Sequence, residues 1–357
     1  MTSIDDLFGE IQRQVDAAPI PACQVAVGHS GGIVAFRSFG QATNSSRFSI
    51  FSTTKPIVAS MIWLLIGRGE LAASDQIGQY IPELITAGLG QVTLEQVMLH
   101  TGGFPNARMP EAEGSQAAFR RARFATWSAE WPAGTRFEYH SDSAHWVLAD
   151  LIERVTGQDF RDAIAQQVCA PLGIERSLGI PLSNQQDICE LVPMSAQAQS
   201  DALLRYNNPQ VRVAGNPGGG GIMTAANLAL FYQGVLHNPG GLWDAEVLLD
   251  ATTNIRCTFE DPLMGVPVNR TLGLVVAGND GLHELRYAIF GRGCSPAAFG
   301  HAGAHAQVAW ADPATGISFA FLTNAAEADM MSAGIRSNRL ASIAADLELC
   351  AQRQPAC

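Results

Sequence analysis

Ser52 and Lys55 stand three places apart in the run Phe51-Ser52-Thr53-Thr54-Lys55, and Lys55 is the only lysine of the chain, set against 21 arginines. Arginine keeps its proton in a protein, whereas a lysine ammonium changes its proton affinity readily on burial or beside other charge. A Ser-x-x-Lys pair can therefore supply a nucleophile and a proton acceptor, and an arginine could not replace the second member. Taken alone, the pattern equally fits a surface lysine beside a helix cap. If a helix starts near Thr53, Ser52 lies at its N-terminal end and Lys55 about one turn on, so both side chains face the same way. Pro56 then falls in the first turn, where proline is tolerated. The free N–H groups and partial positive charge of a helix start suit a serine whose attack creates an oxyanion.

Other residues compete for a chemical role. Gly28-His29-Ser30-Gly31-Gly32 fits Gly-x-Ser-x-Gly, the strand-to-helix elbow that would make Ser30 the nucleophile. The residues after it, Ile33-Val34-Ala35-Phe36, are strand-like, so the expectation is a hairpin turn. His301 and His305 have a spacing that could ligate a metal on a helix, but Gly300 and Gly303 interrupt the segment and β-type sequence follows. Neither a metal nor a cofactor is expected. Gly218 to Gly221 lacks a following Gly-Lys-Ser/Thr and reads as a loop approaching a pocket. His145 and Trp146 open a helix as packing residues, and Trp63, Trp127, Trp131, Trp243 and Trp310 are expected in the core or pocket wall.

The elements that must position these groups follow from periodicity. Ile4, Leu7, Ile11 and Val15 predict a helix over residues 4–17, ended by Pro19 and Pro21. Gln24–Val27 and Ile33–Phe36 predict two hairpin strands. The apolar stretch Ile57 to Gly67 has 11 residues, against the ~20 a membrane span requires, and predicts a buried helix reaching about Arg68. From Gly69 to about Gly215 prolines break the chain into short helices and loops, with a clearer helix over Val147–Thr156. A helix from Ala225 to about Val235 comes next. Strands return at Leu272–Val276, Gln307–Ala311 and Ile317–Leu322, and a helix from about Met330 to Leu349 closes the chain. Strands at both ends around a helical middle predict an α+β fold: an antiparallel sheet built from both chain ends and flanked by helices, with an inserted, mostly helical lobe. The expected single domain, 1–357, has a sheet lobe at about 1–68 and 260–357 and a helical lobe at about 69–259.

Composition narrows the partners. The 357 residues are 47% hydrophobic and 15% charged, a globular balance. A formal net charge of -11 argues against nucleic acid or an anionic membrane. Asp5 and Asp6 stand where a secretory signal needs a basic start, so a cytoplasmic protein is expected. The seven cysteines are odd in number and widely spaced, which suggests free thiols.

Four segments together carry a resemblance. Ser52-Thr53-Thr54-Lys55, Leu99-His100-Thr101-Gly102-Gly103-Phe104-Pro105, Tyr139-His140-Ser141 and His301-Ala302-Gly303 come in the order and approximate spacing of the serine β-lactamase-like hydrolases. Over about residues 20 to 325 the chain resembles the class C branch and its ester-cleaving relatives, the family VIII carboxylesterases. The resemblance implies an acylated Ser52, Lys55 as its activator, and Tyr139 as general base and later acid. It implies an oxyanion hole from the N–H groups of Ser52 and Ala304, and an edge strand carrying the third motif along the site. His301, Gly303, Ser141 and His140 would then contact substrate. A phenol is a poor base at neutral pH unless cationic neighbours favour its phenolate, and Lys55 can supply that charge.

Two departures matter. His301 stands where β-lactamases and penicillin-binding proteins have lysine, which weakens the grip on a β-lactam carboxylate and favours neutral esters. Ser141 replaces the usual asparagine, and matching the next helix without a gap puts the family's tyrosine on His140 instead of Tyr139. The expected activity is hydrolysis of short or medium acyl esters. The alternatives are an amidase or D-amino-acid peptidase, a weak β-lactamase, an acyltransferase, or a sensor acylated once. The expected partner is a small ester; nucleic acid and membrane are excluded, and self-association into a homo-oligomer is left open.

Overall fold

The computed structural model describes residues 2–17 and 20–349. Helix α1 spans Ile4–Ala17 and buries Leu7 and Ile11, as its spacing predicts. The chain then forms the expected hairpin of β1 (Ala22–His29) and β2 (Gly32–Gly40). Ser30 turns this hairpin with a φ of 53° and is exposed. A strand, not a helix, follows it, so the segment is no nucleophile elbow.

Helices α2 (Thr54–Gly67), α3 (Ser143–Thr156) and α4 (Ala225–His237) precede four strands: β3 (Val275–Val276), β4 (Phe299–Gly303), β5 (Gln307–Asp312) and β6 (Ile317–Thr323). Helix α5 (Met330–Ala345) closes the described chain. The sheet runs β2-β1-β6-β5-β4-β3 with every neighbouring pair antiparallel, so β1 from one end of the sequence lies beside β6 from the other. Alternation sorts its two faces. Ala26, Ala309, Ala311 and Ala320 point to the side covered by α2 and α4, where small side chains let the helices sit close. Val25, Val27, Trp310, Phe319 and Phe321 fill the other side with residues of α1 and α5.

Every residue of α2 from Thr54 to Leu65 is buried. A helix apolar all round belongs inside a protein, and α2 is packed between the sheet and the helical lobe.

Four boundaries differ from the sequence reading. The strand predicted over Leu272–Val276 is only Val275–Val276, because Gly273 takes a φ of 102° in a tight turn. α3 begins at Ser143, ahead of His145, with the Ser143 hydroxyl donating to the Phe104 carbonyl at 2.9 Å. α5 stops at Ala345, after which Leu347 bridges to Thr2. α4 lies within the segment assigned to the helical lobe but packs on the sheet, where Gln233 donates to the Ser318 hydroxyl at 3.1 Å.

Cys23, Cys169, Cys189, Cys257 and Cys294 are free; Cys350 and Cys357 lie outside the described residues. Among the described residues no helix is long and apolar enough to cross a membrane, and no cluster of three or more His, Cys, Asp and Glu side chains is placed to hold a metal.

Candidate active site

A single 3-10 turn, Phe51–Thr53, leads into α2. Phe51 has a φ of 45°, a left-handed conformation that costs a non-glycine residue about 1–3 kcal/mol. Its surroundings hold it there. The Phe51 ring packs edge-on against Tyr206 and His305, each at 5.5 Å. The Thr53 hydroxyl donates to the Ile50 carbonyl at 2.6 Å and the Thr54 hydroxyl to the Phe51 carbonyl at 2.5 Å. Gly221 N–H in turn donates to Thr54 Oγ1 at 2.9 Å, tying the turn to the glycine-rich loop. Thr53 and Thr54 are therefore clamps, and Ser52 is the partly exposed residue between buried neighbours.

Strand β4 runs beside this turn so closely that a side chain at Gly303 would collide with the Ile50 carbonyl. β4 is the penultimate strand and not the edge. Yet β3 pairs only with its first two residues, Phe299 and Gly300, so the outer edge of His301–Gly303 stays open beside the site. Among the described residues neither Ser52 N–H nor Ala304 N–H, just past β4, finds a protein acceptor.

Lys55 is 1% exposed. Its Nζ lies 3.1 Å from Ser52 Oγ and donates to the carbonyls of Ser141 at 2.7 Å and Gly218 at 2.6 Å. Carbonyls only accept, so two of the nitrogen's four tetrahedral positions must carry hydrogens for them. A further position faces Ser52. There an ammonium donates to the hydroxyl, and a neutral amine offers its lone pair to the hydroxyl proton.

Tyr139 sits over this lysine, with Nζ 4.8 Å from the ring centroid and the phenol oxygen buried without a partner among the described residues. His140 points elsewhere. It is fully buried, its Nε2 accepts from Phe104 N–H at 3.1 Å, and its Nδ1 lies 2.6 Å from the Glu138 carbonyl, which fixes the proton on Nδ1. Both nitrogens are spent on the loop, and burial pushes the imidazole down to about 4. His140, read from the sequence as the rival to Tyr139 and as a substrate contact, therefore has no ring nitrogen free in this geometry. Ser141 enters through its carbonyl; its residue is otherwise exposed.

His301 projects from β4 on the α2 side and places its ring 6.2 Å from that of Tyr139. Nδ1 lies 2.6 Å from its neighbour's carbonyl, Ala302 O, leaving Nε2 as a buried acceptor with no partner among the described residues. Burial first, then the charges of Arg270 and Lys55, hold this imidazole well below its ordinary range. The third motif thus presents a neutral acceptor where a lysine would present a cation.

Sequence reasoning gave three neighbours no part in the site. The His100 ring lies tilted against that of Tyr139 at 4.8 Å, and His145 stacks near His100 at 6.0 Å. Arg270 places its guanidinium carbon 5.2 Å from the Tyr139 ring. His100 was visible in its motif without a role, whereas Arg270 belongs to no pattern. The glycine loop does approach the site, as read from its composition, and its contribution is the Gly218 carbonyl.

A partly exposed serine beside a buried lysine at a helix start, a tyrosine over the pair and an antiparallel strand alongside define a serine hydrolase of the β-lactamase/transpeptidase-like fold. The family model described as Beta-lactamase matches residues 8–342, and the chain belongs to that family. Among curated proteins it is similar to the esterase/beta-lactamase LipL of Mycobacterium tuberculosis, 24% identical over 77% of this chain and 68% of that protein. Among solved structures, a family VIII carboxylesterase superposes with a TM-score of 0.80 at 21% identity, covering 94% of this chain and 95% of the other. A penicillin-binding protein homologue from Caulobacter crescentus gives 0.78 at 22% identity, covering 95% of both chains.

Proposed function

We propose that this hydrolase cleaves short or medium acyl esters through an acyl-enzyme on Ser52, without a cofactor. The observation that carries the reading is Lys55 Nζ, held by two backbone carbonyls and turned to Ser52 Oγ at 3.1 Å. In this reading Ser52 Oγ attacks the acyl carbon while Lys55 and Tyr139 manage its proton. The ester C–O bond breaks, and Tyr139 returns the proton to the departing alcohol. Water then attacks the acyl-enzyme with the same groups in reverse, releasing the acid and restoring Ser52. The N–H groups of Ser52 and Ala304 would hold the oxyanion, each such donor being worth about 3–4 kcal/mol of barrier. The neutral His301 supports esters over β-lactams, since it offers a substrate carboxylate no positive charge.

The test uses p-nitrophenyl acetate and butyrate. Ser52→Ala and Lys55→Ala should each lose at least a thousandfold in kcat/KM. Lys55→Arg should be equally inactive, because it keeps the charge but has no lone pair to offer. Near-native turnover by Ser52→Ala would overturn the reading. A panel of esters, anilides and nitrocefin, with and without an alcohol acceptor, separates the esterase from an amidase, a β-lactamase or an acyltransferase.

A further inference from the structure

Arg270 is 1% exposed, and none of its three side-chain nitrogens has a hydrogen-bond partner among the described residues. No described carboxylate lies within ion-pairing distance of it. Its backbone is pinned on both sides. Arg270 N–H donates to the Cys257 carbonyl at 3.0 Å, Cys257 N–H returns a bond at 3.2 Å, and a bridge joins it to Val275 at the start of β3. The side chain is thereby directed onto two aromatic rings, Phe137 at 5.5 Å and Tyr139 at 5.2 Å. A buried cation without a counter-ion is costly unless something nearby compensates it. Aromatic faces compensate in part, and of the two rings only that of Tyr139 has an oxygen that can take negative charge.

The groups around Tyr139 leave few other sources of charge. Lys55 approaches from α2, His145 from α3 and His301 from β4, while His100 and His140 belong to the adjoining loops. Tyr287 lies 6.1 Å away and is hydrogen-bonded to Asp261. Burial, reinforced by the charge of Arg270, keeps His100 neutral; His145 and His301 are kept neutral by burial with Lys55 and Arg270 adding. Positive charge beside the tyrosine therefore rests on Lys55 and Arg270.

We propose that Arg270 is a positioning residue for ester cleavage: it fixes the Tyr139 ring and supplies, from outside the recognised motifs, the second positive charge that the tyrosine oxygen requires while it relays the Ser52 proton. This rests on the reading of Tyr139 as the base. The neutral His301 leaves that place in the electrostatics open, and Arg270 fills it from the strand-flanking loop. Because the guanidinium is buried, it acts through Tyr139 and not by touching substrate.

The experiment measures kcat/KM for p-nitrophenyl butyrate from pH 5 to 10 in the wild type, Arg270→Met, Arg270→Lys, Tyr139→Phe and the Arg270→Met/Tyr139→Phe double variant. A base titrates into its active form as pH rises, and losing a neighbouring cation moves that titration upward. Arg270→Met should shift the acid limb up by about one pH unit, a loss of about tenfold on the limb that shrinks toward pH 10. Arg270→Lys should restore most of the wild-type profile. The double variant should be no slower than Tyr139→Phe alone. A loss equal at all pH values, no loss at all, or an effect that multiplies with Tyr139→Phe would overturn the proposal. If Arg270→Met does not fold, Arg270→Gln replaces it with the same expectation; failure of both neutral variants to fold would make Arg270 a purely structural cation and also overturn it. Failure of the hydrolase reading is separate, since it shows in the wild type and Ser52→Ala before any Arg270 variant is compared.

Discussion

At residue 140 the two ring nitrogens are fully used, one accepting from Phe104 N–H and the other bonded to the Glu138 carbonyl, while one residue earlier the Tyr139 oxygen has no partner among the described residues. That contrast supports the role proposed for Tyr139 over His140, two neighbours that the sequence left competing. His140→Leu should leave the Phe104 amide buried without an acceptor and lower stability by about 1–3 kcal/mol, read as a shifted urea midpoint at unchanged m-value. The pH dependence of the remaining activity should not move. Tyr139→Phe should do the opposite, keeping the midpoint and losing at least a hundredfold in kcat. The pair of residues in Ser-x-x-Lys was legible because its spacing places both on one helix face, a local matter. Arg270 was not legible, since its approach to Tyr139 joins positions far apart in the chain and leaves no local pattern.

Among the elements, the glycine loop before α4 is the one that completes the lysine site. Gly218 does more than lend a carbonyl: a Cβ placed there would come within 2.8 Å of the Ser141 carbonyl, the other acceptor of Lys55. Gly218→Ala should therefore spread the two acceptors and displace Nζ from Ser52. The expected result is a fall of at least tenfold in kcat for p-nitrophenyl butyrate with KM little changed, because binding surfaces are untouched while proton handling is disturbed. An unaltered kcat would mean that the loop and Ser141 move apart without affecting Lys55. The hairpin β1–β2, the strands β5 and β6 and the buried α2 were readable from alternation and apolar runs. The ends of elements were less so: α5 stops where Leu347 bridges to Thr2, and β3 is cut short by the Gly273 turn, and the former depends on a contact between the two ends of the chain.

Over the whole molecule, the site is built by burying weak bases. His100, His140, His145, His301 and His305, five of the eight histidines, are all held below their ordinary range of 6.5, with burial the leading cause in each. The unfolded chain binds protons more tightly at these positions than the folded one. Each therefore contributes stability that is fully present above about pH 6.5 and is lost as pH falls toward its folded value. For His140 the window runs from 6.5 to about 4, equivalent to about 3 kcal/mol once crossed. Carboxylates such as Asp187, lowered chiefly by its hydrogen bond from Arg47, act in the same direction but only at lower pH. Near pH 5 the histidines should thus dominate. Calorimetric unfolding in buffers of different ionisation enthalpy should find roughly four protons taken up at pH 5 and close to none at pH 8. The melting temperature should fall steadily from pH 6.5 to 4.5 and stay level above 7. Equal proton uptake at the two pH values would mean that the buried histidines are charged in the fold, removing the argument that Lys55 and Arg270 alone set the charge around Tyr139.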